Sequence, residues 1–177
     1  QTYVEFYVEE NIFSKGWLED FFKTSQTMTV PSKDEIIDSI KEISELEKLT
    51  VIKEMARKGD GTVIHIIIQN TKPVTVRNLR VHQIIPNHIM SDFERFSTSF
   101  EYSLMGSRPY IIEFFKKDLK SEELFSISYF IPYILDEDDL ENVKTEIRFD
   151  QVTDDDIDSL FAILNNFFIS PDDLCKL

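Results

Sequence analysis

Cysteine is all but missing from this chain: Cys175 is its one representative among 177 residues. An internal disulfide framework is therefore excluded, and so is any cysteine-built metal site. Cys175 stands in an acidic C-terminal tail, where neighbouring carboxylates disfavour a thiolate, so it reads as a plain terminal residue and not a nucleophile. Glycine (4 residues) and proline (6) are scarce, which argues against a low-complexity or disordered chain. So few glycines also leave little from which to build a backbone phosphate cradle, and no Walker loop, G-x-G-x-x-G or G-x-S-x-G is present. The three histidines, His65, His82 and His88, form no H-E-x-x-H motif. His82 and His88 lie six apart across Pro86, and strand alternation places His65 and His82 on strand faces near each other. All three read as ordinary edge or surface histidines. Basic charge is short as well: 19 Lys and Arg face 33 Asp and Glu, for a net charge of −14. Arg77 and Arg80 are separated by Asn78-Leu79, and Lys116-Lys117 runs straight into Asp118. No basic stripe remains to displace nucleic-acid counterions or to meet an anionic lipid surface. The richest apolar run, Leu160 to Ile169, is broken by Asn165-Asn166 and is too short to cross a bilayer, so no direct membrane insertion is expected of this segment. A chain that opens at Gln1 reads as a processed product or an excised segment.

What the chain does have is ordinary globular composition: 42% hydrophobic, 29% charged, and 15 Phe. A chain of this length buries roughly 70% of its unfolded surface, enough for one domain with a helical appendage. The excess acidity reads as solubility. Thr2 to Glu9 alternates as a strand, which could close a preceding module. Phe13 to Lys23 carries Trp17, Phe21 and Phe22 at helical spacing. Ser32 and Glu35 make an S-x-x-E capping box, and Ile36, Ile37, Ile40 and Ile43 stripe the helix it opens, to about Lys48.

From Leu49 the period changes to two. Strands are expected over Thr50 to Arg57, Thr62 to Gln69, Val74 to Ile85, Phe96 to Tyr102, Tyr110 to Phe115, Leu124 to Ile131 and Val143 to Phe149. Lys58-Gly59-Asp60-Gly61 is a hairpin turn, and Asn87 to Glu94 one helical turn. Thr153 and Asp156 open a final helix striped by Ile157, Leu160, Phe161, Leu164, Phe167 and Phe168, and Ser170-Pro171 starts a short last one. The reading is a mainly β, Greek-key β-sandwich with flanking α-helices, α+β overall. It divides into an N-terminal strand and helical segment (1–48), the sandwich (49–150) and a C-terminal helical appendage (151–177).

Three stretches resemble an archaeal immunoglobulin-like conserved repeat, the CARDB-like group, over residues 51–134. They are Thr62 to Asn70, a strand ending in an Asn turn; Val76 to Pro86, a strand closing on Ile-Pro; and Leu119 to Tyr129, a loop and strand ending in Tyr. The group's usual Pro-Gly is Lys120-Ser121 here, and its frequent Trp would be Phe114. The resemblance implies an immunoglobulin-like sandwich serving as a non-enzymatic spacer, adhesion or assembly module of archaeal envelope proteins.

No cofactor is expected. Asp136, Asp138 and Asp139 are the candidate metal ligands, since clustered carboxylates suit Ca²⁺; the plainer reading is a solvated acidic loop, because EF-hand spacing is absent. Trp17, Phe161, Phe167 and Phe168 are the candidate partner-binding residues, either completing the sandwich core or offering a rigid aromatic face. A sandwich also exposes edge strands to a partner strand. The expected function is a structural or protein-interaction module of a larger or self-assembling, cell-envelope-associated protein. A cytosolic adaptor binding through an edge strand or aromatic helix is the alternative, and a hydrolase using paired carboxylates the distant one. An extracytoplasmic or membrane-associated location is favoured over the cytoplasm.

Overall fold

Two residues reverse the chain after the first long alternating run. Gly59, at φ +61°, occupies the first central position of the Gly59-Asp60 turn, a positive φ that glycine adopts without steric cost. The computed structural model describes residues 32, 34–39, 49–72 and 74–167. In it the strands are β1 (Thr50–Lys58), β2 (Gly61–Gln69), β3 (Val76–Ile85), β4 (Ser103–Ser107), β5 (Tyr110–Leu119), β6 (Leu124–Ile131) and β7 (Lys144–Arg148). Two helices, α1 (Glu137–Asn142) and α2 (Asp154–Phe167), follow β6 and β7, and residues 34–39 are helical.

The strands form two antiparallel sheets, ordered β1-β2-β6 and β4-β5-β3-β7. Register follows hydrophobic alternation, because a one-residue slip would turn each apolar set to solvent. In the first sheet the inward rows are Met55–Ile64–Tyr129, Lys53–Ile66–Ile127 and Val51–Ile68–Phe125. The second sheet answers with Leu79, Val81, Ile85, Ile112 and Phe114, all wholly or almost wholly buried in the same cluster. Alternation in β3 changes phase at Asn78, which takes φ +52°, a left-handed conformation that asparagine tolerates. Val76 and Leu79 are therefore both buried despite their odd spacing.

A polar chain crosses this core. The Tyr129 hydroxyl donates to Gln83 Oε1 at 2.8 Å, and Gln83 Nε2 donates to Thr145 Oγ1 at 2.8 Å. Burial pushes the phenol pKa far above its ordinary value, so Tyr129 remains a donor. Tyr129→Phe should cost about 1–3 kcal/mol, the penalty for leaving a buried acceptor unpaired. Chemical denaturation checks this, and adding Gln83→Leu to it should recover part of the loss.

Among the described residues the strand expectations hold within a few residues, except one; the strand expected over Thr2 to Glu9 lies outside them. Residues 96–102 are not a regular strand. Ser97 makes a single bridge to Phe130, covering the outer edge of β6, and Thr98 Oγ1 donates to the Ser128 carbonyl. The strand is instead β4, which reaches back across Arg108-Pro109 to pair with β5. The reason is aromatic. Phe93 and Phe96 stack at 4.7 Å, and Tyr102 meets Phe96 edge-on at 5.5 Å, which draws this segment into a packed turn. Residues 87–94 form turns without an assigned helix, although Ile89 and Met90 both donate to the Pro86 carbonyl.

The capped helix signals are realised where they are described; Phe13 to Lys23 and the helix expected from Ser170 lie outside the described residues. Ser32 Oγ accepts from the Glu35 amide at 3.3 Å. Asp156 and Thr153 exchange the two bonds of a capping box at the start of α2, and Asp156 also pairs with Arg77 of β3. Leu160 is wholly buried and Phe161 half-buried. Ile36 and Leu160 are buried outside the sandwich cluster.

Candidate interaction surface

β1 combines exposed apolar residues with a backbone edge that carries no strand among the described residues. Its inner edge is paired with β2 along its whole length; its outer edge carries no strand among the described residues. Successive side chains point to opposite faces, so an edge strand presents both. Val51 ends an inward row beside Ile68, and Ile52 flanks Ile67 on the outer face. They are 40% and 47% exposed. The rest of β1 is guarded by charge: Lys53, Glu54, Arg57 and Lys58. Such residues discourage indiscriminate edge pairing, which leaves the Val51-Ile52 end as the place where a partner strand gains most.

Lys53 is the anchor of this edge. It occupies an inward position between Val51 and Met55, in the row of Ile66 and Ile127. Its Nζ donates to the Val143 carbonyl, and lies 3.5 Å from that of Leu140. These carbonyls belong to the last turn and C-cap of α1, the negative end of the helix. One cation thus ties β1 of the first sheet to the approach to β7 of the second. Burial lowers the Lys53 pKa from the ordinary lysine value of 10.5. The unfolded chain therefore holds that proton more tightly than the folded one. The penalty is fully present below the folded pKa and fades as pH rises towards the unfolded value. Across that alkaline window wild-type stability should rise relative to Lys53→Met, as paired urea titrations at stepped pH would show.

The acidic run after β6 does a structural job. Asp136 Oδ1 accepts from the Asp139 amide at 2.8 Å, and Asp139 Oδ2 accepts from the Asp136 amide at 3.1 Å. This reciprocal capping box starts α1, so the stretch expected to be a loop is a helix. Asp138 lies in its first turn, where its charge suits the helix dipole. No group of three His, Cys, Asp or Glu side chains among the described residues is placed to hold a metal ion.

The histidines do not meet. His65 faces outward from β2 and hydrogen-bonds with Ser126 Oγ at 2.6 Å. His82 faces outward from β3, 2.8 Å from Glu113 Oε2. Their strands lie in different sheets, so the two rings sit on opposite outer faces, contrary to the expected proximity. His88 lies in the turn after β3, exposed. Of the aromatic partner-binding candidates, Phe161 is on α2, half-buried. Phe168 and Trp17 lie outside the described residues, as does the side chain of Phe167.

Sequence reasoning placed a strand at β1 and named an edge strand as a candidate binding element, but not which edge. The signal was present: Val51, Lys53 and Met55 share one face, and a lysine inside an apolar row needs an acceptor. No helix among the described residues is long and apolar enough to cross a membrane.

No protein-family model and no curated protein matches the chain. Among solved structures, the yeast delta-COP-I mu-homology domain aligns at 13% identity and a TM-score of 0.38. The alignment covers 57% of this chain and 38% of that one, so the chain spans well under half the length of that protein.

Proposed function

We propose that the chain is a non-enzymatic interaction module whose sandwich is immunoglobulin-like and whose β1 edge accepts an extended segment of a partner protein. The observation that carries the function is the outer edge of β1, which carries no strand among the described residues, with Val51 and Ile52 exposed on its two faces. Backbone hydrogen bonds to such an edge supply affinity, and the alternating side-chain positions supply selection. The finer fold reading is supported by connectivity. β2 lies beside β6 in one sheet and β3 beside β7 in the other, so the steps β2 to β3 and β6 to β7 both cross between sheets. The B, C, E and F strands of an immunoglobulin sandwich are distributed between its sheets in the same way. The resemblance to archaeal envelope repeats over residues 51–134 supports a place in a cell-envelope assembly.

Charging the apolar end of the edge tests the function. The double variant Val51→Lys, Ile52→Lys should lose co-purification with the native partner at least tenfold. Its denaturation midpoint should stay close to wild type, since both side chains are largely exposed. Retained binding at wild-type level would remove β1 from the interface.

A further inference from the structure

The other flank of the molecule carries an open depression of about 510 Å³ at the β4–β5 edge of the four-stranded sheet. Phe100, Glu101, Tyr102, Ser103, Glu113 and Phe115 line it. Its composition is particular. Three aromatic rings and two carboxylates meet in one concavity, and no cation lines it. Tyr102, just before β4, and Phe115 on β5 are 42% and 50% exposed. Tyr102 is held in place by Phe93 and Phe96, so it is a fixed wall. Ser103 and Glu113 are cross-strand partners on the same face, and Glu101 lies two residues before Ser103. Glu113 spends one oxygen on His82. Glu101 has no hydrogen bond or ion pair among the described residues.

We propose that this depression receives a basic side chain, an arginine or lysine presented by a protein partner. A cation over an aromatic face is attracted by the ring quadrupole, and a planar guanidinium can stack there while donating to a carboxylate. Charge complementarity selects this occupant: the walls are aromatic, the rim is anionic, and the whole chain carries −14. Arg80 and Arg148 continue the Phe115 row towards β7, which makes the β4 side the approach for a cation. The inference stands apart from the β1 edge; each surface can fail without the other.

The test uses the full chain, labelled with ¹⁵N, at low salt. The probe is the capped tripeptide Gly-Arg-Gly, compared with Gly-citrulline-Gly, which keeps the shape and loses the charge. The arginine peptide should give saturable shifts confined to amides around residues 100–103 and 113–115. The citrulline peptide should bind roughly threefold or more weakly, as expected from losing one exposed cation–π contact and one exposed ion pair. Glu101→Gln should weaken the arginine peptide by roughly two- to fivefold, and Phe115→Ser should weaken it too. Both replace exposed side chains and should leave the remaining spectrum unchanged. Absence of saturable shifts into the millimolar range would overturn the proposal. Equal response to citrulline, or indifference to both variants, would do the same.

Discussion

Gly61→Ala is expected to cost about 3 kcal/mol or more, the upper range for overpacking a site that cannot relax. A Cβ at this position would sit 2.5 Å from the Ile131 carbonyl oxygen and clash with the edge of the Phe130 ring at Cζ and Cε1. The ring could turn aside. The carbonyl cannot, because Ile131 is registered against Thr62 at the end of the β2–β6 ladder. The cause is space and not backbone freedom, and the neighbouring glycine supplies the control. A Cβ on Gly59 would meet nothing within 4 Å, but the residue holds φ +61°. Gly59→Ala should therefore cost only about 1–2 kcal/mol, and Gly59→Asn less, since asparagine tolerates the left-handed region. Urea midpoints for the three variants check the ranking. A Gly61→Ala protein as stable as Gly59→Asn would mean that β2 and β6 do not approach as described.

Asn70→Ala should be comparably severe, about 3 kcal/mol or more, from several buried polar groups losing partners at about 1–3 kcal/mol each. Asn70 is wholly buried at the end of β2. Its side-chain amide donates to the carbonyls of Val74 at 2.8 Å and Leu119 at 2.9 Å. Its Oδ1 accepts from the Lys72 amide at 2.9 Å. The backbone joins in: its N–H donates to the Glu123 carbonyl and its carbonyl accepts from Glu122. One residue thus pins the exit of β2, the approach to β3 and the β5–β6 turn. Asn70→Asp should also destabilise, because it places acceptors opposite two carbonyls, whereas a surface asparagine would tolerate the change. Thermal or chemical unfolding of both variants reads this directly.

Much of this was legible in the chain because alternation and turn chemistry are local. Phe125, Ile127, Tyr129 and Ile131 marked β6 with its observed bounds, and the Gly59-Asp60 reversal was readable from its residues alone. Asn70 stood out as the end of a strand, though its hydrogen-bond hub depends on segments that come together only in the fold. β4 was hidden for a different reason. Ser-Leu-Met-Gly-Ser has little strand character of its own, and pairing with β5 makes it a strand. The more strand-like Phe96 to Tyr102 was diverted by ring packing. α1 was obscured by length: six residues, four of them acidic, read as a loop until the Asp136–Asp139 capping box is recognised. The candidate interaction surface was the least legible. Which edge of which sheet remains open is a property of strand order, and so is the separation of His65 from His82.

The most direct test of the account is photo-crosslinking from within β1. A benzophenone side chain placed at Ile52, in the source cells, should give a discrete adduct with a partner polypeptide. The same probe at Lys117, exposed on β5, should not give that adduct, and Val51→Lys should suppress it. No discrete adduct at Ile52, or one that appears equally from Lys117 and survives Val51→Lys, would contradict an edge that accepts a partner strand.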